Sequence, residues 1–153
     1  MEDLTQDHYV GYDPPERLRQ LPTWLTAQVA AKGRRLVNAS LAQEGARRQH
    51  FTVLASLAEQ GSASQADLGR RLSIDRSDLH ALLAELESDG LVARVRDERD
   101  RRRNVVTLTR AGRGALARLG NRIDAAQDAL LEPLSADERR ELNRLLQRVL
   151  EVR

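Results

Sequence analysis

The sequence predicts a mainly α-helical single domain: two short capped helices in tandem, a small β-hairpin behind them, and long helices at both ends. Three observations carry that expectation. Apolar residues recur at three- and four-residue steps through most of the chain. Ser64 and Asp75 each stand immediately ahead of a short helical segment. A run from Arg94 to Arg103, with six arginines and three acids in ten residues, separates two segments of strand character.

The bulk properties narrow the function classes. A chain of 153 residues has room for one core, or for a small lobe plus helices that need a partner. The aromatic share of 3% is low for an aromatic-lined substrate cleft, so the core is built from Leu, Val and Ala. Net charge is only +2, yet Lys32 is the sole lysine among 25 basic residues. Arginine offers a planar fork suited to phosphate and guanine, but Arg and Ala richness equally fits a GC-rich genome. Location along the chain therefore matters more than the total.

The absence of cysteine excludes disulfides, thiolate metal sites and thiol redox sensing within these residues. His8, His50 and His80 make no metal cluster, no glycine loop follows a strand, and no nucleophile stands with a base. Hence no catalytic residue, metal or cofactor is expected, and not an enzyme. The acidic start Met1-Glu2-Asp3-Leu4 lacks a signal pattern, and no apolar run approaches the roughly 20 residues that span a bilayer. A cytoplasmic protein without membrane contact is expected.

Residues 1–13 are polar and end at Pro14-Pro15, the pattern of a mobile arm. From Glu16 to Ser40, Leu18, Leu21, Leu25, Val29 and Leu36 form an amphipathic helix that either starts at Pro22 or is kinked there. A second helix follows Glu44-Gly45 and runs to Gln60, with Phe51, Leu54, Leu57 and Ala58 on one face and Gly61 as its stop. Ser64 caps a third helix, with Asp67 in the reciprocal acidic position. Asp75 caps a fourth that buries Leu79, Leu82, Leu83 and Leu86 and ends at Gly90. Such a pair of helices is the shape of a helix-turn-helix, whose second member can enter a DNA major groove.

Leu91 to Arg96 and Asn104 to Leu108 read as strands flanking the polar loop from Asp97 to Arg103, a hairpin wing. Thr109 caps a fifth helix through Leu116, Leu119, Ile123, Ala126 and Leu130, weakened by Gly112, Gly114 and Gly120. After Pro133, Ser135 and Glu138 form a capping box for a sixth helix with Leu142, Leu145, Leu146, Val149 and Leu150 on one face. The terminal helices have leucine faces but no second bundle core in so short a chain, which points to burial against a twin. Packing within the monomer is the alternative.

A charged finger at a hairpin turn suits phosphates or a narrow minor groove, and carboxylates close to arginines can hold the guanidinium forks. A merely solvated turn is the other possibility for the loop taken alone. The chain resembles the MarR family of bacterial winged helix-turn-helix regulators. Asp97-Glu98-Arg99-Asp100-Arg101-Arg102 matches the family's D-x-R-[DA]-x-R wing pattern. Leu108-Thr109-Arg110-Ala111-Gly112 is similar to its L-T-x-x-G helix start, and Leu86-Glu87-Ser88-Asp89-Gly90-Leu91-Val92 to its L-E-x-x-G-L-[VI] exit from the recognition helix.

The resemblance implies a homodimer whose first, fifth and sixth helices interlock, with dimerisation helices over 14–40 and 110–153 and a winged DNA-binding lobe over 44–109. It implies a transcriptional regulator, a repressor by operator occupancy, binding double-stranded DNA at a near-palindromic site. An architectural or nonspecific DNA binder is the competing expectation. Arg76, Ser77 and His80, on the exposed side of the recognition helix, are the base-edge candidates. Relatives often carry small hydroxyl residues near positions 78 and 80, where this chain has Asp78 and His80. Ser62, Ser64 and Gln65, at a helix N-terminus, are phosphate candidates, with plain capping the alternative for Ser64. The resemblance assigns the minor-groove probe to Arg102, oriented by Asp100, with Arg99 and Arg101 near the backbone. It also implies a small-molecule effector between dimer helices and lobe, for which Trp24, Arg47 and His50 are the candidates.

Arg102→Ala is expected to weaken duplex binding by roughly tenfold or more. A titration at physiological salt measures this, and an unchanged affinity would remove Arg102 from the probe role.

Overall fold

The computed structural model describes residues 13–150. In chain order the elements are α1 (Glu16–Arg19), α2 (Pro22–Ala42), α3 (Arg48–Gln60), α4 (Gln65–Leu72), α5 (Arg76–Ser88), β1 (Val92–Arg96), β2 (Asn104–Leu108), α6 (Arg110–Leu130) and α7 (Ala136–Val149). The fold is the mainly α, winged helix-turn-helix one that the sequence predicts. Among the described residues no helix is long and apolar enough to cross a membrane. Apart from Asp13, the predicted arm of residues 1–13 lies outside the described residues.

The helix predicted over 16–40 is divided. Leu21 N–H still bonds the Leu18 carbonyl at 3.0 Å, and Pro22 opens α2, where its missing N–H and fixed φ suit the first helical position. The second predicted helix begins later than Gly45. That glycine, at φ +65°, belongs to the end of α2, where Gly45 and Ala46 N–H groups bond the Ala42 and Leu41 carbonyls. The buried stripe of α3 is Val53, Leu54 and Leu57; Phe51 is half-buried and Ala58 is exposed, so the core face is turned toward Val53 from the one predicted.

Two compact units emerge. One spans Asn38–Ala125; the other comprises the segments up to Val37 and from Ala126. In the first unit, Leu41, Leu54, Leu68, Leu79, Leu83 and Leu86 are fully buried and form the centre of the core. Strands β1 and β2 pair antiparallel, Val92 opposite Leu108 and Arg96 opposite Asn104. Ala63, just ahead of α4, adds a short third rung: its N–H and carbonyl both bond Val106, at 3.2 and 2.7 Å. In the second unit the Ser135 and Glu138 capping box starts α7, and Arg139 bonds Asp128 at 2.7 Å. Leu21, Leu25 and Val29 on or beside α2, and Leu145, Leu146, Val149 and Leu150 at α7, remain exposed, the last two at 80% and 71%.

The start of α6 is seated on the turn after α5. Gly90 takes φ +70°, and the Leu91 and Gly90 N–H groups bond the Leu86 and Glu87 carbonyls, closing α5 in a Schellman motif. Thr109 Oγ1 donates to the Gly90 carbonyl at 2.7 Å and accepts the Gly112 N–H at 3.0 Å, the cap predicted for this residue. Gly112 is buried against this turn. A Cβ there would collide with the Leu91 carbonyl and lie 2.6 Å from Leu108 Cδ1. Its lack of a side chain is thus a packing requirement, whereas the sequence suggests only a weak helix position.

Gly112→Ala is expected to lower stability by roughly 1–3 kcal/mol or more through overpacking. Gly114, where a Cβ meets nothing nearer than Arg118 Nη1 at 3.7 Å, is expected to respond with the opposite sign. Gly114→Ala should raise stability by about 0.5–1 kcal/mol. Urea midpoints of the two variants check the pair.

Candidate nucleic-acid interface

The helix-turn-helix is made by α4, the turn Ser73-Ile74-Asp75 and α5. Ser73 adopts the left-handed conformation at φ 52°, the one non-glycine residue among the described residues to do so, and its N–H closes α4 on the Gly69 carbonyl. Asp75 then caps α5: one carboxylate oxygen accepts the Ser77 N–H at 2.8 Å and the Ser77 hydroxyl at 2.6 Å. These bonds, the hydroxyl's foremost, hold the Asp75 carboxyl below the usual carboxylate range.

With Leu79, Leu82, Leu83 and Leu86 buried, the first turns of α5 present Arg76, Ser77 and His80 to solvent. These three border an open groove shared with Gln65 and Arg70 of α4. Asp78 is exposed on another side of α5, beside Arg47 and Glu85. The three side chains on the groove offer a guanidinium, a hydroxyl with free lone pairs and an imidazole, a donor and acceptor set suited to base edges.

Ser62 is exposed, while Ser64 is committed to its own helix. Its Oγ accepts the Asp67 N–H at 3.1 Å and donates to Asp67 Oδ2 at 2.6 Å. Asp67 does not return a bond to the Ser64 backbone; it pairs with Arg70, and with Arg103 at 2.9 Å. The Ser64 hydroxyl first, and then the two arginines, keep the Asp67 carboxyl below its usual range. Gln65 Oε1 accepts from Arg94 at 3.3 Å, and its amide nitrogen lies 3.5 Å from the Arg76 carbonyl.

In the wing, Asp97 and Asp100 bind backbone rather than guanidinium. Asp97 Oδ1 accepts the Arg99 N–H at 2.9 Å and Asp100 Oδ1 the Arg102 N–H at 3.0 Å, two Asx turns that shape the loop. Asp100 thus acts on Arg102 through its main chain. The tip is closed by Asp97 N–H to the Arg103 carbonyl and Arg103 N–H to the Asp100 carbonyl, both 2.9 Å. Among the described residues, the ion pairs do not include Arg96, Arg99, Arg101 or Arg102, all exposed. Four guanidiniums on a two-stranded finger beside an exposed helix end form a surface suited to a nucleic-acid duplex.

Of the effector candidates, Arg47 and His50 meet at the start of α3, Arg47 in the N-cap position. His50 Nδ1 accepts the Arg47 N–H at 3.0 Å, so the ring proton sits on Nε2, 3.0 Å from Glu85 Oε2. Arg47 donates to the same oxygen at 2.6 Å. The sequence offered no sign of Glu85 as their partner, 35 residues from His50. A cavity of about 80 Å³ beside His50, bordered by Glu44, Asp89 and Arg118, has room for a few waters rather than a ring compound. Trp24, half-buried on α2, belongs to the other unit. No group of His, Asp and Glu able to hold a metal occurs among the described residues.

This is the architecture of a winged helix-turn-helix regulator. A profile of the MarR family matches residues 45–103. The transcriptional activatory protein BadR of Rhodopseudomonas palustris is 44% identical over 73 residues, 46% of this chain and 42% of that protein, so the match spans less than half of BadR. An HTH-type transcriptional repressor of Mycobacterium tuberculosis is 31% identical over 126 residues, 82% of this chain and 91% of the relative. Among solved structures, a mutant MarR from E. coli complexed with operator DNA aligns at TM-score 0.70 and 28% identity, covering 90% of this chain and 99% of that one. The PcaV transcriptional regulator from Streptomyces coelicolor, in complex with its natural ligand, aligns at TM-score 0.68 and 29% identity, covering 92% and 99%. The chain belongs to the MarR family of transcriptional regulators.

The Glu85 cluster has a pH consequence. The His50 hydrogen bond, and then Arg47, hold the Glu85 carboxyl below its usual range. A lowered folded-state value means that the unfolded chain binds the proton more readily, so stability is present above the carboxylate range and is lost as pH falls through it. Glu85→Gln should flatten the decline of stability below about pH 4, read from urea midpoints at stepped pH. An equally steep decline in the variant would assign it to other carboxyls.

Proposed function

We propose that the chain binds double-stranded DNA as a homodimer and represses transcription in the cytoplasm by occupying a near-palindromic operator. The observation that carries this reading is the pairing of an exposed recognition-helix end with an arginine finger whose four outer guanidiniums have no intramolecular partner among the described residues. In this reading Arg76, Ser77 and His80 meet base edges in the major groove. Arg102 enters the minor groove with its main chain set by Asp100, while Arg99 and Arg101 lie along phosphates. Ser62 and the N-terminal N–H groups of α4 approach a phosphate; Ser64 contributes through its cap and Gln65 through its bond to Arg94.

Self-association through 14–40 and 110–153 is supported by the seven large apolar side chains left exposed on the terminal helices. The lobe over 44–109 then forms the DNA-reading unit. Repression follows the relative with the longer alignment, named a repressor. A small-molecule effector is supported by the PcaV complex with its natural ligand; Arg47 and His50 in the lobe, and Trp24 in the other unit, are the candidate residues for it. At His50 such a ligand would have to displace the bonds to Glu85.

Selection of bound sequences from a random duplex library tests the reading. The expected product is an inverted repeat with half-sites about 10 base pairs apart. An asymmetric consensus would count against the dimer, and no consensus at all would favour an architectural DNA binder.

A further inference from the structure

The six arginines of the wing run divide by what they touch. We propose that Arg94 and Arg103 are positioning residues rather than DNA contacts: struts that fix the angle between the wing and the recognition helix. The inference rests on the reading that the wing meets DNA.

Arg94, on β1, donates through Nε to Glu87 Oε2 of α5 at 3.2 Å and through Nη1 to Gln65 Oε1 of α4 at 3.3 Å. Arg103, at the entry to β2, donates to Asp67 Oδ2 of α4 at 2.9 Å. One strut leaves the middle of β1 and the other the tip end of β2. Between them they reach both helices of the helix-turn-helix, and Gln65 extends the chain of contacts to the Arg76 carbonyl at the start of α5. Asp67 is itself fixed by Ser64 and Arg70, so the Arg103 strut ends on an anchored carboxylate.

Backbone pairing to the rest of the lobe reaches the hairpin at the Ala63 and Val106 rung, in the middle of β2, and the register continues outward from there to Arg96 opposite Asn104. Side-chain ties from both strands add to that anchorage, Arg94 at the level of the rung and Arg103 beyond it. The pairs are partly exposed, with Arg94 and Glu87 side chains 34% and 42% accessible, and pairs of that kind contribute little to fold stability. Their effect is on geometry: a probe entering a narrow groove must be held in register with a helix in the neighbouring one.

Charge and position predict opposite signs for Glu87→Ala. That substitution removes an acid beside the DNA face, so a purely electrostatic account expects tighter binding. The strut account expects weaker binding to the selected operator, by roughly fivefold or more, with no change in the slope of log affinity against log salt. Arg94→Ala should likewise leave the slope unchanged, whereas Arg102→Ala, which removes a DNA contact, should reduce it by about 1. The charge swap Glu87→Arg with Arg94→Glu should restore most of the affinity lost by either single change.

Equal or tighter operator binding by Glu87→Ala, or an Arg94→Ala slope reduced like that of Arg102→Ala, would overturn the strut assignment. So would a fall in the thermal midpoint of Glu87→Ala, which would make the pair a stability element. A wing that does not meet DNA is revealed separately, as an Arg102→Ala variant unchanged in both affinity and slope. In that case the underlying reading falls and the struts with it.

Discussion

The burial of one face of α5 is the constraint from which the candidate interface follows. Leu79, Leu82, Leu83 and Leu86 are committed to the lobe's core, each at most 4% exposed. A helix has 3.6 residues per turn, so fixing that stripe turns Ser77 away from the core and His80 onto its flank, while Arg76, on the edge of the stripe, is exposed at the helix's first position. Each leucine buried in this way contributes on the order of 1.5–3 kcal/mol relative to exposure. That is far more than any polar contact at the surface, so rotation of α5 is prevented by the core and not by its caps. The caps act more narrowly, since Asp75 sets where the helix begins and hence which residues occupy its first turn.

The same division between holding and presenting recurs in the wing. Asp97 and Asp100 shape the loop through main-chain hydrogen bonds. Leucine and valine pairs such as Val92 with Leu108 anchor its root in the core. The outer arginines are exposed and, among the described residues, form no ion pair. Acidic residues close to a nucleic-acid face would ordinarily repel a phosphate backbone, but Asp67, Asp75, Glu87, Asp97 and Asp100 each have a donor within the lobe. Their charge is partly neutralised locally while their geometric effect remains.

Much of this was legible because it is local. Ser64, Asp75, Thr109 and Ser135 each act within three residues or at the neighbouring turn, and all four cap the helices predicted for them. The strands followed from β-branched residues on either side of a polar loop. Of the candidate interface, the exposure of Ser77 and His80 followed from the leucine period of the same helix, and that of Arg76 from its place directly after the Asp75 cap. Contacts closed by the fold were not legible. Arg103 reaches Asp67 across 36 residues and Arg94 reaches Gln65 across 29, so both arginines read simply as part of a basic run. Gly112 looked like a weak helix position because its neighbour, the Leu91 carbonyl, is brought there by the turn after α5.

The wing's reliance on guanidinium groups has a consequence for control. Arginine does not lose its proton at any pH a cell experiences, and Lys32, the sole lysine in the sequence, is on α2 rather than in the hairpin. Neither acidification nor lysine acetylation can therefore dim the positive field of this finger. The guanidinium charge is a constant, and modulation of this surface works by moving that charge rather than by removing it.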